Sequence, residues 1–274
     1  MTTPSSSIAF IGGGNMASAL IGGLRASGVP AARVQVVEPA AEQRARLKRE
    51  YDVDAAEHAT PDLAAADLVV WAVKPQLFAA AAAPCAAHVS GALQLSVMAG
   101  IRSDAIVAAT GSARVVRAMP NTPALIGRGI AGLYARPGLG EAERGRVEAL
   151  LAPTGETLWV AREADLDAVT ALSGSGPAYV FYVIEAMTEA ARALGLDEAQ
   201  GRRLALATFA GATELARRSE DPPQVLRERV TSKGGTTHAA LSVLQADGVQ
   251  AAFVRAIEAA ARRARELGDE FGAA

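Results

Sequence analysis

The stretch IAFIGGGNMASALIGGL, residues 8–24, limits what this chain can fold into more than any other. A short β-type run, Ile8–Ile11, ends in three glycines, and a helical pattern over 15–27 follows. Gly12, Gly14 and Ala17 fill the three small positions of G-x-G-x-x-(G/A). That motif alone is weak. Here a strand precedes it, it opens a helix, and Glu38 stands at the end of the next strand, 34–37. Gly12 lets the chain turn sharply, Gly14 lets backbone approach a pyrophosphate, and Ala17 lets the helix pack close on the strand. The helix start then offers unpaired N–H groups to phosphate. The bland alternative is a tight turn with no ligand. Glu38 is placed for the adenosine ribose, where a carboxylate accepts from the 2′-hydroxyl and repels a 2′-phosphate. That tilts the expectation toward NAD(H). Arg33 and Arg44 are near in sequence, and Arg44 is within reach of a phosphate.

The pattern continues as a charged helix over 41–50 and a strand over 68–73 that is apolar on both faces. A helix is predicted over 76–87, a strand over 92–97, a helix over 103–109 and a strand over 114–119. Further strands at 130–134 and 157–160 flank a helix over 141–151. Strands alternating with helices give βαβ units and a parallel sheet. After about Arg162 no strand pattern remains. Helices are predicted over 165–171, 177–194, 198–218, 224–229, 236–246 and 249–267. The expected fold is therefore α/β: a Rossmann dinucleotide-binding domain over 1–162, then an all-helical domain over 163–274. From Tyr179 to Ile184 large side chains surround most of a helix, as in buried helices. In so small a domain, an oligomer interface is the natural place to bury them.

A length of 274 residues suits about two domains of roughly 150 residues each. Half the residues are apolar, enough for a sizeable core, and the net charge of −2 gives no strong pull toward nucleic acid or an acidic membrane surface. The single cysteine, Cys85, allows no intramolecular disulfide and fits a reducing cytoplasm. The opening MTTPSSS lacks a basic segment followed by an apolar run, so it is not a signal peptide and reads as a short disordered tail. No apolar run is long enough to span a bilayer. Lysine is confined to Lys48, Lys74 and Lys233, so Lys74 and Lys233 are not routine surface lysines.

Two strand ends carry polar groups. Ala72-Val73-Lys74-Pro75 closes a buried strand, and ligands of open α/β sheets bind beyond such carboxyl ends, so Lys74 is placed to face cofactor or substrate. A solvated turn lysine is the plainer alternative. Met119-Pro120-Asn121-Thr122-Pro123 is stiffened by two prolines and offers short polar groups. In the helical half, Leu172-Ser173-Gly174-Ser175-Gly176-Pro177 contains ordinary helix-start signals, but two glycines around a serine suggest close backbone approach. In Ser232-Lys233-Gly234-Gly235-Thr236-Thr237 a helix starts just after the glycines. Free N–H groups and a hydroxyl there suit a small anion such as a carboxylate. The three histidines, His58, His88 and His238, lie far apart in sequence, without carboxylates at ligand spacing, and no metal site is expected.

Taken in order, Gly12 to Ala17, Ala72 to Pro75, Met119 to Pro123, Leu172 to Tyr179 and Val230 to Thr237 resemble the pyrroline-5-carboxylate reductases over nearly the whole chain. The resemblance implies reduction of Δ1-pyrroline-5-carboxylate to L-proline with NADPH or NADH. It implies a Rossmann domain plus a helical dimerisation domain, and a homodimer that many members build into larger rings. Gly12, Gly13, Gly14, Asn15 and Met16 then hold the pyrophosphate. Glu38, Ala72, Val73, Lys74, Pro75 and Asn121 border the cofactor. Ser232, Gly234, Gly235, Thr236 and Thr237 hold the substrate carboxylate and ring, across the dimer from the partner's cofactor. Thr237 and Lys74 are the expected catalytic residues. Two departures bear on cofactor choice. Glu57-His58-Ala59 stands where the family often has an Asn, and Glu38 stands where many members carry polar or basic residues.

A β-hydroxyacid dehydrogenase would need a helix-borne lysine in the second domain, and Lys233 lies in the glycine loop instead. A nucleotide-sensing protein would keep the first glycine loop without needing the Ser-Gly-Gly-Thr-Thr anion site. A broader imine reductase, taking a six-membered ring, stays open.

Overall fold

The computed structural model describes residues 7–272, so the predicted tail MTTPSSS lies outside the described residues except for Ser7. By internal contact the chain forms two units. One runs to Ser175 and includes the residues from Ala260 onward; the other is Gly176–Ala259.

The first unit is built on one sheet. Its strands are β1 (Ile8–Ile11), β2 (Val34–Val37), β3 (Ala55–Ala56), β4 (Leu68–Trp71), β5 (Leu93–Ser96), β6 (Val115–Met119), β7 (Gly129–Ala135) and β8 (Gly155–Trp159), in the spatial order β3-β2-β1-β4-β5-β6-β7-β8. Its helices are α1 (Asn15–Ala26), α2 (Ala41–Tyr51), α3 (Phe78–Ala82), α4 (Ala86–Val89), α5 (Ser103–Thr110), α6 (Glu141–Leu151) and α7 (Asp165–Val169). Pairing is parallel from β3 through β6. The order reverses between β1 and β4, the switch point at which doubly wound sheets bind ligands.

The continuous apolar strands follow from cores on both faces. Ile8, Phe10, Leu68 and Val70 enter one cluster with Leu20, Leu24 and Val147. Ala9, Ile11, Val69 and Trp71 enter the other with Phe78, Val89 and Ile106. Each Leu, Ile or Phe so buried contributes about 1.5–3 kcal/mol. The indole N–H of Trp71 donates to Gln94 Oε1 at 2.8 Å, while the Gln94 amide donates to the carbonyls of Val89 and Ala92, so this buried polar pair is satisfied.

Some details differ from the sequence reading, among them the two-residue β3, which was not expected. β7 runs antiparallel to β6, because residues 120–128 are too few for the dozen-residue crossover that parallel return needs. The helix predicted over 76–87 is broken into a 3-10 turn, Pro75–Leu77, and the short α3 and α4, with Pro84 between them. The loop predicted between residues 171 and 177 starts instead as a π turn, Thr170–Gly174, in which the Ser175 N–H donates to the Thr170 carbonyl at 2.8 Å. The expected close approach is real at Gly174, where a Cβ would lie 2.8 Å from Met119 Cε.

The second unit is all helical: α8 (Gly176–Ala193), α9 (Glu198–Arg218), α10 (Pro223–Arg229), α11 (Thr236–Ala246) and the first part of α12 (Val249–Gly272). Gly195 turns the chain at φ +89°, and Asp197 caps α9 by accepting from the Gln200 N–H at 2.8 Å. A Cβ on Gly201 would come within 2.7 Å of Ala191 Cβ, so the glycine permits α8 and α9 to touch. Phe181, Tyr182, Leu204, Leu215 and Val243 are exposed in the single chain. Such a set is what an oligomer interface would cover. Among the described residues no helix is long and apolar enough to cross a membrane.

An ionic cluster ties β6 to the start of α7. Glu163 accepts from the Ser103 N–H at 2.6 Å, the Ser103 hydroxyl at 2.5 Å and Arg117 Nη1 at 2.9 Å. Burial pushes the Glu163 carboxyl upward, but the Ser103 donors and Arg117 outweigh it and hold it below the usual range. A group depressed in the folded state stabilises above its unfolded pKa, near 4.3, and loses that contribution as pH falls through its folded value. Glu163→Gln is expected to cost about 2–3 kcal/mol at pH 7, because Arg117 stays buried without its counterion. The gap from the parent should narrow as urea unfolding is repeated from about pH 4 downward. A gap constant with pH would contradict the assignment.

Candidate active site

The parallel strands bring their carboxyl ends to one edge, and most of the expected cofactor residues follow directly from them. The Gly12 N–H donates to the Val37 carbonyl at 2.8 Å, and the Ala72 N–H to the Ile11 carbonyl at 2.8 Å. These bonds splice the glycine loop to the ends of β2 and β4. Gly12 sits at φ +96°, and a Cβ on it would lie 2.6 Å from the Ala72 carbonyl oxygen and 3.0 Å from Val73 Cγ1. A Cβ on Gly13 would lie 2.8 Å from Leu47 Cδ1 and 3.3 Å from the Glu38 side chain. Gly12, Gly13, Glu38, Ala72 and Val73 are therefore neighbours. Lys74 follows them on the surface, and Pro75 opens the 3-10 turn.

Gly14 differs from the other two. It is the N-cap of α1 at φ −65° and ψ −171°, a conformation open to any residue, and a Cβ on it would meet nothing within 4 Å. Packing does not require this glycine. The open space lies at the start of a helix with no side-chain cap and no acidic residue in its first turn. That combination suits a pyrophosphate, since helix-start N–H groups and dipole favour an anion. Ala17 is fully buried, as close packing of helix on strand requires.

Side chains that the motif did not single out support the loop from α2. Gln43 donates to the Gly13 carbonyl. Arg46 donates to the Ser18 hydroxyl at 2.6 Å and to Asn15 Oδ1 at 3.4 Å. Their spacing of three on a charged helix places both on one face. That face was the only signal available in the sequence. Glu38 also does more than its position suggested: its carboxylate accepts from the Gly13 N–H at 2.7 Å and from the Ala40 N–H at 2.8 Å. Asn121 is half-buried past the end of β6, and its Oδ1 accepts from the Ile130 N–H at 3.0 Å, so its amide NH2 is not used in that bond.

The second unit holds the other candidate residues together in one turn. Gly234 adopts φ +76°, and Gly235 is the N-cap of α11. A Cβ on Gly235 would lie 2.5 Å from Ser232 Oγ, so the serine folds over the glycine. The Ala239 N–H bonds the Gly235 carbonyl at 3.1 Å, which makes Thr236, Thr237 and His238 the first-turn residues whose N–H groups have no acceptor within the helix. Thr237 is half-buried, while Thr236 and His238 are exposed. Free N–H groups at the start of a helix of eleven residues are an arrangement that suits a small anion.

Known proteins match this arrangement along its length. Residues 163–267 match the family described as pyrroline-5-carboxylate reductase dimerisation, and residues 7–100 match that described as NADP oxidoreductase, coenzyme F420-dependent. The pyrroline-5-carboxylate reductase of Pseudomonas aeruginosa is 46% identical over 274 residues, covering 99% of this chain and 100% of that protein. A solved pyrroline-5-carboxylate reductase of Coxiella burnetii superposes with a TM-score of 0.89 at 35% identity, covering 96% of this chain and 98% of that one. The Plasmodium falciparum pyrroline carboxylate reductase, solved with NADP bound, gives 0.85 at 26% identity, covering 97% and 99%. With a relative this similar over the full length of both chains, the chain belongs to the pyrroline-5-carboxylate reductase family.

Proposed function

We infer that the chain reduces Δ1-pyrroline-5-carboxylate to L-proline with NADH or NADPH, the last step of proline biosynthesis. The observation that carries this is Gly14: an open cradle at a helix start that nothing in the chain's own packing requires. Full-length similarity to named reductases supports the same activity.

When bound, the reduced nicotinamide supplies a hydride to the imine carbon. Gly12, Gly13, Gly14, Asn15 and Met16 form the pyrophosphate loop: the N–H groups of Gly14, Asn15 and Met16 face the anion, while those of Gly12 and Gly13 bond Val37 and Glu38 and shape the turn. Glu38 meets the adenosine ribose, and Ala72, Val73, Lys74, Pro75 and Asn121 border the rest of the cofactor. Ser232, Gly234, Gly235 and Thr236 receive the substrate carboxylate, and Thr237 hydrogen-bonds the ring nitrogen. Lys74 adds a cation at the strand end facing the substrate. A cyclic imine takes its proton readily from solvent, so positioning dominates: the reacting atoms need holding about 3–3.5 Å apart. The proposed functional domains are 1–162 and 163–274, a reading supported by the dimerisation match over residues 163–267. The enzyme is a cytoplasmic homodimer, its dimers assembling further into a ring, with neither nucleic acid nor membrane as partner.

Initial rates of NADH and NADPH oxidation with the five-membered imine, beside its six-membered homologue, test this. Oxidation is expected to be faster with the five-membered ring and with NADH. Cofactor binding without oxidation of either ring would mean that the Ser232–Thr237 turn serves another ligand.

A further inference from the structure

The acidic residue at the ribose position is tied into its own turn. Glu38 is 9% exposed, and its two carboxylate oxygens each accept a backbone N–H, from Gly13 and from Ala40. The next cation outward is Arg44. Its Nη1 donates to the carbonyls of Glu38 at 2.9 Å and Pro39 at 2.6 Å, which fixes the guanidinium on the rim of the same turn. Its Nη2 donates to Glu57 Oε2 at 3.0 Å. Glu57 follows β3, the strand paired with β2, and its other oxygen lies 3.5 Å from His58 Nε2.

Doubly wound sheets place the adenosine ribose at the end of this second strand, where an arginine accommodates a 2′-phosphate and a carboxylate opposes it. Arg44 stands where such an arginine belongs, but its fork is filled by two carbonyls and a carboxylate. Counting Glu38, Glu57 and Arg44, the rim carries an excess negative charge. A dianionic phosphate entering there must displace Glu57 or face it.

We propose that the Arg44–Glu57 pair selects the cofactor: Glu57 masks Arg44 from the 2′-phosphate and so holds the enzyme to NADH, while Glu38 is a positioning residue of the glycine loop. This rests on the glycine loop being the dinucleotide site. The Glu57 side chain is 54% exposed, so its removal leaves the fold intact and frees Arg44 for a charge-assisted bond to phosphate.

The test is calorimetric binding of NADH and of NADPH to the parent enzyme, to Glu57→Gln and to Arg44→Gln/Glu57→Gln. Glu57→Gln is expected to tighten NADPH about tenfold, the equivalent of ~1.4 kcal/mol, and to leave NADH within about twofold. The double variant is expected to lose that gain. An unchanged ratio of NADPH to NADH affinity in Glu57→Gln overturns the proposal, as does a gain that survives removal of Arg44. Failure of the parent to bind either dinucleotide overturns the dinucleotide site itself, and the proposal with it.

Discussion

A Gly14→Val enzyme is expected to melt close to the parent temperature and to bind NADH and NADPH about 100-fold more weakly. The reasoning starts from three adjacent glycines that have different causes. Gly12 is demanded by the fold: φ is +96°, and a Cβ would press on the Ala72 carbonyl at 2.6 Å. Gly13 is demanded by packing against Leu47. Gly14 is demanded by neither, since its backbone is ordinary and its surroundings are empty. A valine there fills the space at the start of α1 and blocks the N–H groups that a pyrophosphate would use. Two charge-assisted hydrogen bonds lost at about 1.5 kcal/mol each give the expected factor. The stability cost is that of a poorer N-cap, within about 1 kcal/mol. Gly12→Ala should behave in the opposite manner, losing stability as well as binding. Calorimetric affinity beside the melting temperature of the cofactor-free protein separates the two. A Gly14→Val enzyme that binds dinucleotide like the parent would remove the pyrophosphate from this loop.

That contrast also marks how far the sequence could be read. The motif gave the place of the loop, because glycine spacing, strand and helix are local properties. It assigned the turn to Gly12 and the pyrophosphate to Gly14, but it could not show what else presses on Gly12, the Ala72 carbonyl, sixty residues away in sequence. Glu38 is similar. Its place at the end of β2 is fixed by chain order, while the aim of its carboxylate depends on the N–H groups of Gly13 and Ala40 that the turn sets beside it. The two-residue β3 was missed because alternation cannot register over Ala55–Ala56. The direction of β7 was within reach, since the length of the 120–128 connection already forbids a helical crossover. The π turn was not: it ends at Gly174, which lies against Met119, a residue more than fifty positions earlier in the chain. Helices α9 and α11, by contrast, begin and end where their caps and periodicity put them.

Thr237→Ala is expected to lower kcat/KM for the imine by about 10–100-fold, with Thr237→Ser recovering most of the loss. Two other hydroxyls of this region are spent on helix carbonyls. Thr231 Oγ1 donates to the Arg227 carbonyl at 2.6 Å, and Ser242 Oγ to the His238 carbonyl at 2.8 Å. Thr237 makes no such bond among the described residues, although it is half-buried in the first turn of α11. A threonine there is a poorer helix former than alanine, so the helix gains nothing from it. Thr237→Ala should therefore leave the melting temperature unchanged or slightly raised. The loss should fall on turnover and on substrate affinity, with the NADH dissociation constant unaffected, because the role proposed for the hydroxyl is at the ring and not at the dinucleotide. Thr237→Val keeps the shape and removes the hydroxyl, so it should resemble the alanine variant. Turnover and imine affinity both unchanged in Thr237→Ala would take the ring nitrogen away from Thr237 and leave the turn as a carboxylate receptor alone.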